Sequence, residues 1–355
     1  MIQPLKLFSL NPTKQIQQAK NAQVQPRVSF VTKPDTFERS VPQAKTLAPA
    51  YVPFLGYAHD EEIRALGHII CPCCGIEMMT QKDMNKVSKN LGYSSSQAIE
   101  TLDEFEKNMR PVEKECYNLL KTWAKDKPES NFKDLLNENK APQLAKLQAK
   151  QNTILDTVDE LSKQLSEKEQ EEVNKVTSLT RKLVSSNDKE IKFKRKTFIS
   201  DVETLENKIS NKDVYTQIRK EAEKMPTSQN DVSAFVVKYA DRSHQEIGER
   251  LVKLSVGTIE HIKPRSEGGR NVPGNYMLEC GGCNHERSSI PLGDWVDAHP
   301  EMKENTQKYI DEVINRINSG KMKGFSFYPH AVARTLFEQS DGKLDLKVEG
   351  IKDEV

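Results

Sequence analysis

The sequence predicts a mainly α-helical protein built around a small α+β core, and three observations carry that prediction. Hydrophobic residues make up 36% of the 355 positions and charged residues 30%, with a mean hydropathy of -0.70. That balance suits much exposed helix and a modest buried core. Between residues 142 and 226 apolar residues recur at helical spacing, and only brief apolar stretches, such as Leu254 to Ile259 and Tyr276-Met277-Leu278, read as strands.

The segments follow in order. Residues 1–50 are rich in Gln, Lys, Pro and Ser without a period, and are expected to be a mostly disordered tail with a short extended piece at Val28-Ser29-Phe30-Val31. It serves as a flexible leader or a partner-binding tail. Residues 51–80 hold His68-Ile69-Ile70 running into Cys71-Pro72-Cys73-Cys74-Gly75. Residues 81–141 are helical, broken near Gly92 and Pro128, with a short helix before Pro142.

In 142–226 the apolar positions Leu144, Leu147, Ile154, Val158, Leu161 and Leu165 alternate three- and four-residue steps, slip near Glu171 and resume at Val176, Leu179 and Leu183. Ser185-Ser186-Asn187-Asp188 offers a turn, and a second run goes through Ile191, Phe198, Val202, Leu205, Ile209 and Ile218 until Pro226. The expectation is an antiparallel coiled-coil hairpin with arms of about 55–60 Å, either internal support or an arm for a second copy or protein partner. Arg181, Lys182, Lys189, Lys192, Lys194, Arg195 and Lys196 cluster at its tip, a solvated face or a phosphate contact. Residues 227–300 follow as a core segment. In 301–355, Tyr309, Ile310, Val313, Ile314 and Ile317 predict a covering amphipathic helix, Phe325 to Phe337 a strand or loop and a further helix, and the residues after Gln339 a frayed tail.

Charge and cysteine usage narrow the function classes. With 53 basic and 52 acidic residues the net charge is +1, so any affinity for nucleic acid must be local. No apolar run approaches the ~18 residues of a membrane span, and Met1 to Lys20 lacks a signal peptide's apolar stretch; a soluble cytoplasmic protein is expected. Five of the six cysteines fall in two tight clusters, with Cys116 alone. In a reducing compartment such clusters read as metal ligands. Cys71 with Cys74 and Cys280 with Cys283 form two Cys-x-x-Cys pairs, the spacing at which a knuckle turn presents two thiolates to a tetrahedral zinc ion. Cys73 is the spare. With no open position and no nearby acid, this zinc is expected to be structural.

Ahead of the second pair stands Thr258-Ile259-Glu260-His261-Ile262-Lys263-Pro264-Arg265-Ser266-Glu267-Gly268-Gly269, continuing to Asn275 and then Cys280-Gly281-Gly282-Cys283-Asn284-His285-Glu286-Arg287. A strand, loop, strand and helix here would bring Glu260, His261 and Asn284 together. A carboxylate and an amide oxygen suit a hard divalent cation, and a neutral His suits deprotonation of water.

This segment resembles the HNH, or ββα-metal, nuclease family, whose pattern runs Asp/Glu-His-Ile-x-Pro-x-Ser-x-Gly-Gly, then Asn, then Cys-x-x-Cys-Asn-x-x-Arg/Lys; its zinc-bound form includes phage endonuclease VII. The match covers only Cys71–Gly75 and about Val256–Pro291. The resemblance implies hydrolysis of nucleic acid, DNA first, with His261 as general base and Glu260 and Asn284 holding a catalytic Mg²⁺ or Mn²⁺. It also implies that Asn275 braces the loop and orients the base, and that Arg287 touches a phosphate. Two departures stand out: Glu260 occupies a position where Asp is commoner, and the insertion between the cysteine pairs is very long. A competing reading keeps the fold as a catalytically silent zinc module with the helical arm as an assembly element.

Overall fold

The computed structural model describes residues 66–186 and 193–352. The N-terminal tail, its extended piece at Val28–Val31, most of the segment ahead of the first cysteines, and Lys189 and Lys192 of the basic cluster lie outside the described residues.

The chain is mainly helical with a two-stranded antiparallel sheet, and its buried residues gather into three clusters. One of these is built by α1 (Gln81–Asn90), α2 (Ser95–Asp103), α3 (Pro111–Ala124), the start of α4 (Phe132–Ser162), α8 (Val232–Tyr239) and α9 (His244–Lys253). Local sequence sets these ends: Ser94 with Gln97 and Ser243 with Glu246 form capping boxes that satisfy the first free N–H groups of α2 and α9. Within this cluster Arg250 donates to Glu113 at 2.6 Å and to the Tyr239 hydroxyl at 2.8 Å. The Glu113 side chain is 1% exposed, and desolvation raises its pKa against the pull of Arg250. Arg250→Met would strand that carboxylate in the core. A loss of about 3–5 kcal/mol is expected, read as a fall in the urea midpoint, with Glu113→Gln/Arg250→Met recovering much of it.

The region expected to be a two-armed hairpin is a bundle of four helices. α4 runs 31 residues straight through Pro142. The proline forfeits one backbone hydrogen bond, but α8 packs along this stretch, where Ser233 Oγ donates to buried Gln143 at 2.8 Å. The chain reverses at residues 163–166, because Ser166 and Glu169 form a capping box that starts α5 (Glu167–Ser185). α5 lies antiparallel on α4: Gln148 donates to the Val184 carbonyl at 2.8 Å, and Arg181 to Asp156 and Asp159 at 2.6 and 2.7 Å. α6 (Arg195–Glu203) and α7 (Lys212–Glu223) complete the cluster around Leu155, Val158, Val173, Phe198 and Ile218. Of the basic residues expected at a hairpin tip, Arg181 is thus tied to two carboxylates, and Arg195 donates to the Glu223 carbonyl at 2.7 Å. α5 buries Val173, Thr177, Thr180 and Val184, whereas Leu179 is half exposed.

The remaining cluster holds β1 (Gly257–His261), β2 (Tyr276–Cys280), α10 (Gly281–Arg287), α11 (Leu292–Ala298), α12 (Met302–Asn318) and α13 (Tyr328–Gln339). β1 and β2 pair in a register that sets Thr258 opposite Glu279, Glu260 opposite Met277, and His261 opposite Tyr276. The helix expected around Tyr309 to Ile317 is α12, with those side chains buried. The expected frayed tail is instead a strap without helix or strand. Leu344 is fully buried, and two amides of α12 hold the strap's backbone: Gln307 both donates to and accepts from Lys347 at 2.9 Å, and Asn318 bonds Gly350 and Lys352 at 2.8 and 2.9 Å. Among the described residues no helix is long and apolar enough to cross a membrane.

Candidate metal centre and ββα site

The first cysteine pair sits in a tight turn. Ile70 and Glu77 bridge antiparallel, the Cys71 N–H donates to the Ile76 carbonyl at 2.7 Å, and the Gly75 N–H to the Cys71 carbonyl at 2.9 Å. Gly75 has φ of +72°, and a Cβ there would meet the Asn305 amide at 2.8 Å, so both conformation and space call for glycine. α12 holds the turn from outside: Asn305 donates to the Cys73 carbonyl at 2.9 Å and Thr306 to the Pro72 carbonyl at 3.1 Å.

The second pair straddles the junction of β2 and α10. Cys280 is the residue before the helix, and its Sγ accepts the Cys283 N–H at 3.4 Å. Gly281 and Gly282 donate to the carbonyls of Val256 and Leu254, both at 2.9 Å. The sulfurs of Cys71, Cys74, Cys280 and Cys283 all lie within 4.8 Å of one another, and the Cys280 N–H points at the Cys71 sulfur at 3.4 Å. Four sulfurs so placed fit a single ion with thiolate ligands. Burial pushes the Cys71 thiol well up, while hydrogen bonds from Cys280, Cys283 and Cys71 pull the Cys74 thiol down. The pairs come together across more than 200 residues, so an ion here ties the first turn to the sheet and closes the loop that holds the other two clusters.

Two charged side chains surround the cysteines, and one of them, Glu279, is an acid where none was expected: it immediately precedes Cys280 and lies against Cys283. Arg110 comes from the N-cap of α3; its Nη2 donates to both Glu286 oxygens at 2.9 and 3.0 Å, while buried Nε and Nη1 have no acceptor among the described residues. Desolvation works against its charge, but Glu286, then Cys280 and Cys283, hold it ionised. A Cβ on Gly282 would lie 2.0 Å from Arg110 Nη1, so glycine there admits the guanidinium to the knuckle. Glu279 is fully buried, and among the described residues neither of its oxygens has a hydrogen-bond partner. Burial first, then the negative charge of Glu260, pushes its pKa up to about 8.

The loop joining β1 to β2 is organised by Asn275. Its Oδ1 accepts the Lys263 N–H at 2.8 Å, and its Nδ2 donates to the carbonyls of Lys263 and Arg270 at 3.1 and 3.0 Å. The glycine pair has separate reasons: Gly268 has φ of +81°, and a Cβ on Gly269 would strike the Lys263 carbonyl at 1.9 Å. Asn275→Ala would leave partly buried loop groups without partners and is expected to cost about 1–3 kcal/mol, read by urea unfolding. Asn275→Asp, which keeps the acceptor alone, should fall between.

The three expected catalytic residues sit around the end of β1. His261 is its last residue and half-buried, its ring edge-on to Tyr276 at 4.7 Å between centroids. Arg265 Nε donates to His261 Nε2 at 3.1 Å, and the Asn271 amide stands 3.0 Å from the same nitrogen. Sequence reasoning passed over Arg265 and Asn271, although both lie inside the motif. Glu260, 8% exposed, accepts on Oε1 from Nε and Nη2 of Arg287. Asn284 Nδ2 donates to Thr258 Oγ1 at 3.1 Å. Thr258 and Glu260 share one face of β1 by strand alternation, and Asn284 and Arg287 share one face of α10 at i, i+3, so the two faces meet. His261 leaves β1 on the opposite side by the same alternation.

Arg287 departs from the expected phosphate contact. It is 0% exposed, and its guanidinium is spent on Glu260 and on the His261 carbonyl at 2.7 Å. Its place four residues after Cys283 on a seven-residue helix points it back under β1 rather than outward.

No family model, characterised protein or solved structure matches the chain, so any functional reading rests on these residues and their geometry.

Proposed function

We propose that the chain is a metal-dependent nuclease of the HNH type, hydrolysing phosphodiester bonds of DNA, with a structural zinc ion on Cys71, Cys74, Cys280 and Cys283. The observation that carries this reading is His261 at the end of β1, next to a loop fixed by Asn275, with Glu260 on the strand face that meets Asn284 of α10. Four buried thiolates at mutual reach are the donor set zinc prefers.

The remaining donors suit a hard cation. With Oε1 of Glu260 committed to Arg287, Oε2 keeps no protein hydrogen bond among the described residues, and Asn284 Oδ1 likewise has none. One carboxylate and one amide oxygen match Mg²⁺ or Mn²⁺, which retain water and substrate phosphate as further ligands. Such an ion, when bound, would stabilise charge on the phosphate and leaving oxygen.

His261 is the base. Arg265 Nε–H and Asn271 Oδ1 converge on Nε2 at 3.1 and 3.0 Å, and the tautomer with its lone pair there accepts the former, the form a base requires. A substrate phosphate would draw Arg265 away, freeing Nε2 to take the proton of the attacking water. Asn275 holds the loop so that the imidazole stays in place, and the products would be a 5′-phosphate and a 3′-hydroxyl.

A second reading, a catalytically silent metal-bound module, is favoured by one observation: Arg287 neutralises Glu260, the very acid the ion would need. Cleavage of supercoiled plasmid by the full chain in Mg²⁺ or Mn²⁺ separates the two. The nuclease reading expects nicking that EDTA stops and that His261→Ala lowers by about 10²–10⁴-fold while retaining the cysteine-bound metal. No nicking of plasmid, single-stranded or branched DNA or RNA sinks it.

A further inference from the structure

We propose that Cys73, Glu279 and the shared thiolate of Cys283 form a second buried site for a thiophilic divalent cation of the zinc class, so that the chain carries two ions bridged through Cys283. The inference stands apart from the nuclease reading and needs no activity to test.

Ligand atoms of Cys73, Glu279 and Cys283 lie within 4.8 Å of one another, and all three residues are buried. Cys73 is 1% exposed and Glu279 0%. A cysteine inside a Cys-x-x-Cys turn commonly faces outward as a spacer. Here the turn carries Cys73 into the core while its carbonyl is pinned by Asn305.

Glu279 supplies the independent observation. Its register partner is Thr258, so it points from the same sheet face as Glu260. Among the described residues neither of its oxygens has a hydrogen-bond partner, sulfur included. Neither nearby cation hydrogen-bonds it: Arg287 is bound to Glu260, and Arg110 pairs through Nη2 with Glu286. An ionised carboxylate alone in the interior, against a thiolate cluster, is not a stable arrangement. Protonation would leave a buried O–H without an acceptor, at a cost comparable to a lost hydrogen bond. A divalent cation removes both difficulties. Bidentate binding by Glu279 with the thiolates of Cys73 and Cys283 completes a four-donor set of two sulfurs and two oxygens. A thiolate bridging two ions gains a second positive neighbour, which suits a sulfur as buried as Cys283.

The orphaned Nε and Nη1 of Arg110 fit the same picture. They face the second knuckle, as the clash with a Cβ on Gly282 shows, and can donate to the thiolates of a cluster that remains negative overall.

The test is the metal content of the full chain, purified without chelator, equilibrated with excess Zn²⁺ and desalted, read by native mass spectrometry and elemental analysis. Two zinc ions per chain are expected in the wild type and one in Glu279→Gln and Cys73→Ser, with the four-cysteine ion retained. Cadmium substitution should give two ¹¹³Cd resonances coupled through the shared sulfur, and one in Glu279→Gln. Because Glu279→Gln is isosteric, it keeps the comparison open if Cys73→Ser fails to fold. One zinc ion per wild-type chain under excess metal overturns the proposal, as does an unchanged count of two in both variants.

Discussion

Cys280→Ala is expected to release the cysteine-bound ion and to unfold the C-terminal cluster at room temperature. Cys280 ends β2, caps α10 and stands against Cys71 and Cys74, with its sulfur 3.8 Å from that of Cys74. A structural zinc ion contributes on the order of 10–16 kcal/mol of apparent binding free energy in small domains, more than the whole stability of a typical domain. Loss of one of four thiolates should forfeit most of it. Chelation of the wild type should do the same without mutation, and returning metal should restore the far-ultraviolet signal. Cys116→Ala is the control: its thiol is buried in a different cluster, with its pKa pushed up mainly by burial. It should cost only the small cavity it leaves and no metal. A wild type that keeps its melting temperature after metal removal would refute the structural role of the ion.

Arg287→Met is the second large effect, because sequence and structure give it opposite meanings. A phosphate-contacting arginine lies at the surface, and its loss weakens nucleic-acid binding evenly and lowers the salt slope by about one while leaving stability alone. The structure instead buries Arg287 completely against Glu260 and two backbone carbonyls. Its removal leaves the Glu260 carboxylate and those carbonyls without a donor, at a cost of about 3–5 kcal/mol. Glu260→Gln/Arg287→Met should recover part of that loss, since the stranded charge is gone. Urea unfolding of the two single variants and the double variant measures the coupling. An Arg287→Met protein with an unaltered urea midpoint and a reduced salt slope would place the side chain back on a phosphate.

On the proposed nuclease reading, Arg287 would hold Glu260 in one orientation before an ion binds. Arg287 fixes Oε1, which leaves Oε2 and the Asn284 amide oxygen as the donors for a hard cation. The longer reach of glutamate at a position where aspartate is commoner fits this arrangement, because one oxygen must reach back to α10 while the other stays available.

What the sequence determined by itself was chemistry written in short spacing. The two Cys-x-x-Cys pairs announced a four-thiolate site because the ligand requirement is local to each knuckle, and the described cysteines do converge. The glycine pair at 268 and 269 was legible for the same reason, whereas the loop brace at Asn275 came from the family resemblance, since its main backbone partner, Lys263, is twelve residues away. Helical content was legible as periodicity, and so was the buried face of α12. The sequence also held signals that went unread, such as the Ser166–Glu169 capping box that turns the chain where a continuous arm was expected.

Tertiary structure alone decided the rest. Whether the apolar stripe of residues 142–226 became two long arms or a four-helix bundle depended on which faces found partners, and α5 chose Thr177 and Thr180 over Leu179. The strap after Gln339 has no periodicity to read, since its order comes from Gln307 and Asn318 on another helix. Arg110 reaches the cysteine cluster from distant sequence, and Glu279, although next to Cys280, is turned to it only by the register of β2 on β1. Arg287 makes the point most directly. A basic residue after Cys-x-x-Cys-Asn has the same local sequence whether it faces solvent or the core, and only the packing of α10 on β1 turned it inward to Glu260. Local spacing fixes which atoms can share a ligand or a turn, whereas burial and pairing of charges are properties of surfaces that only the folded chain brings together.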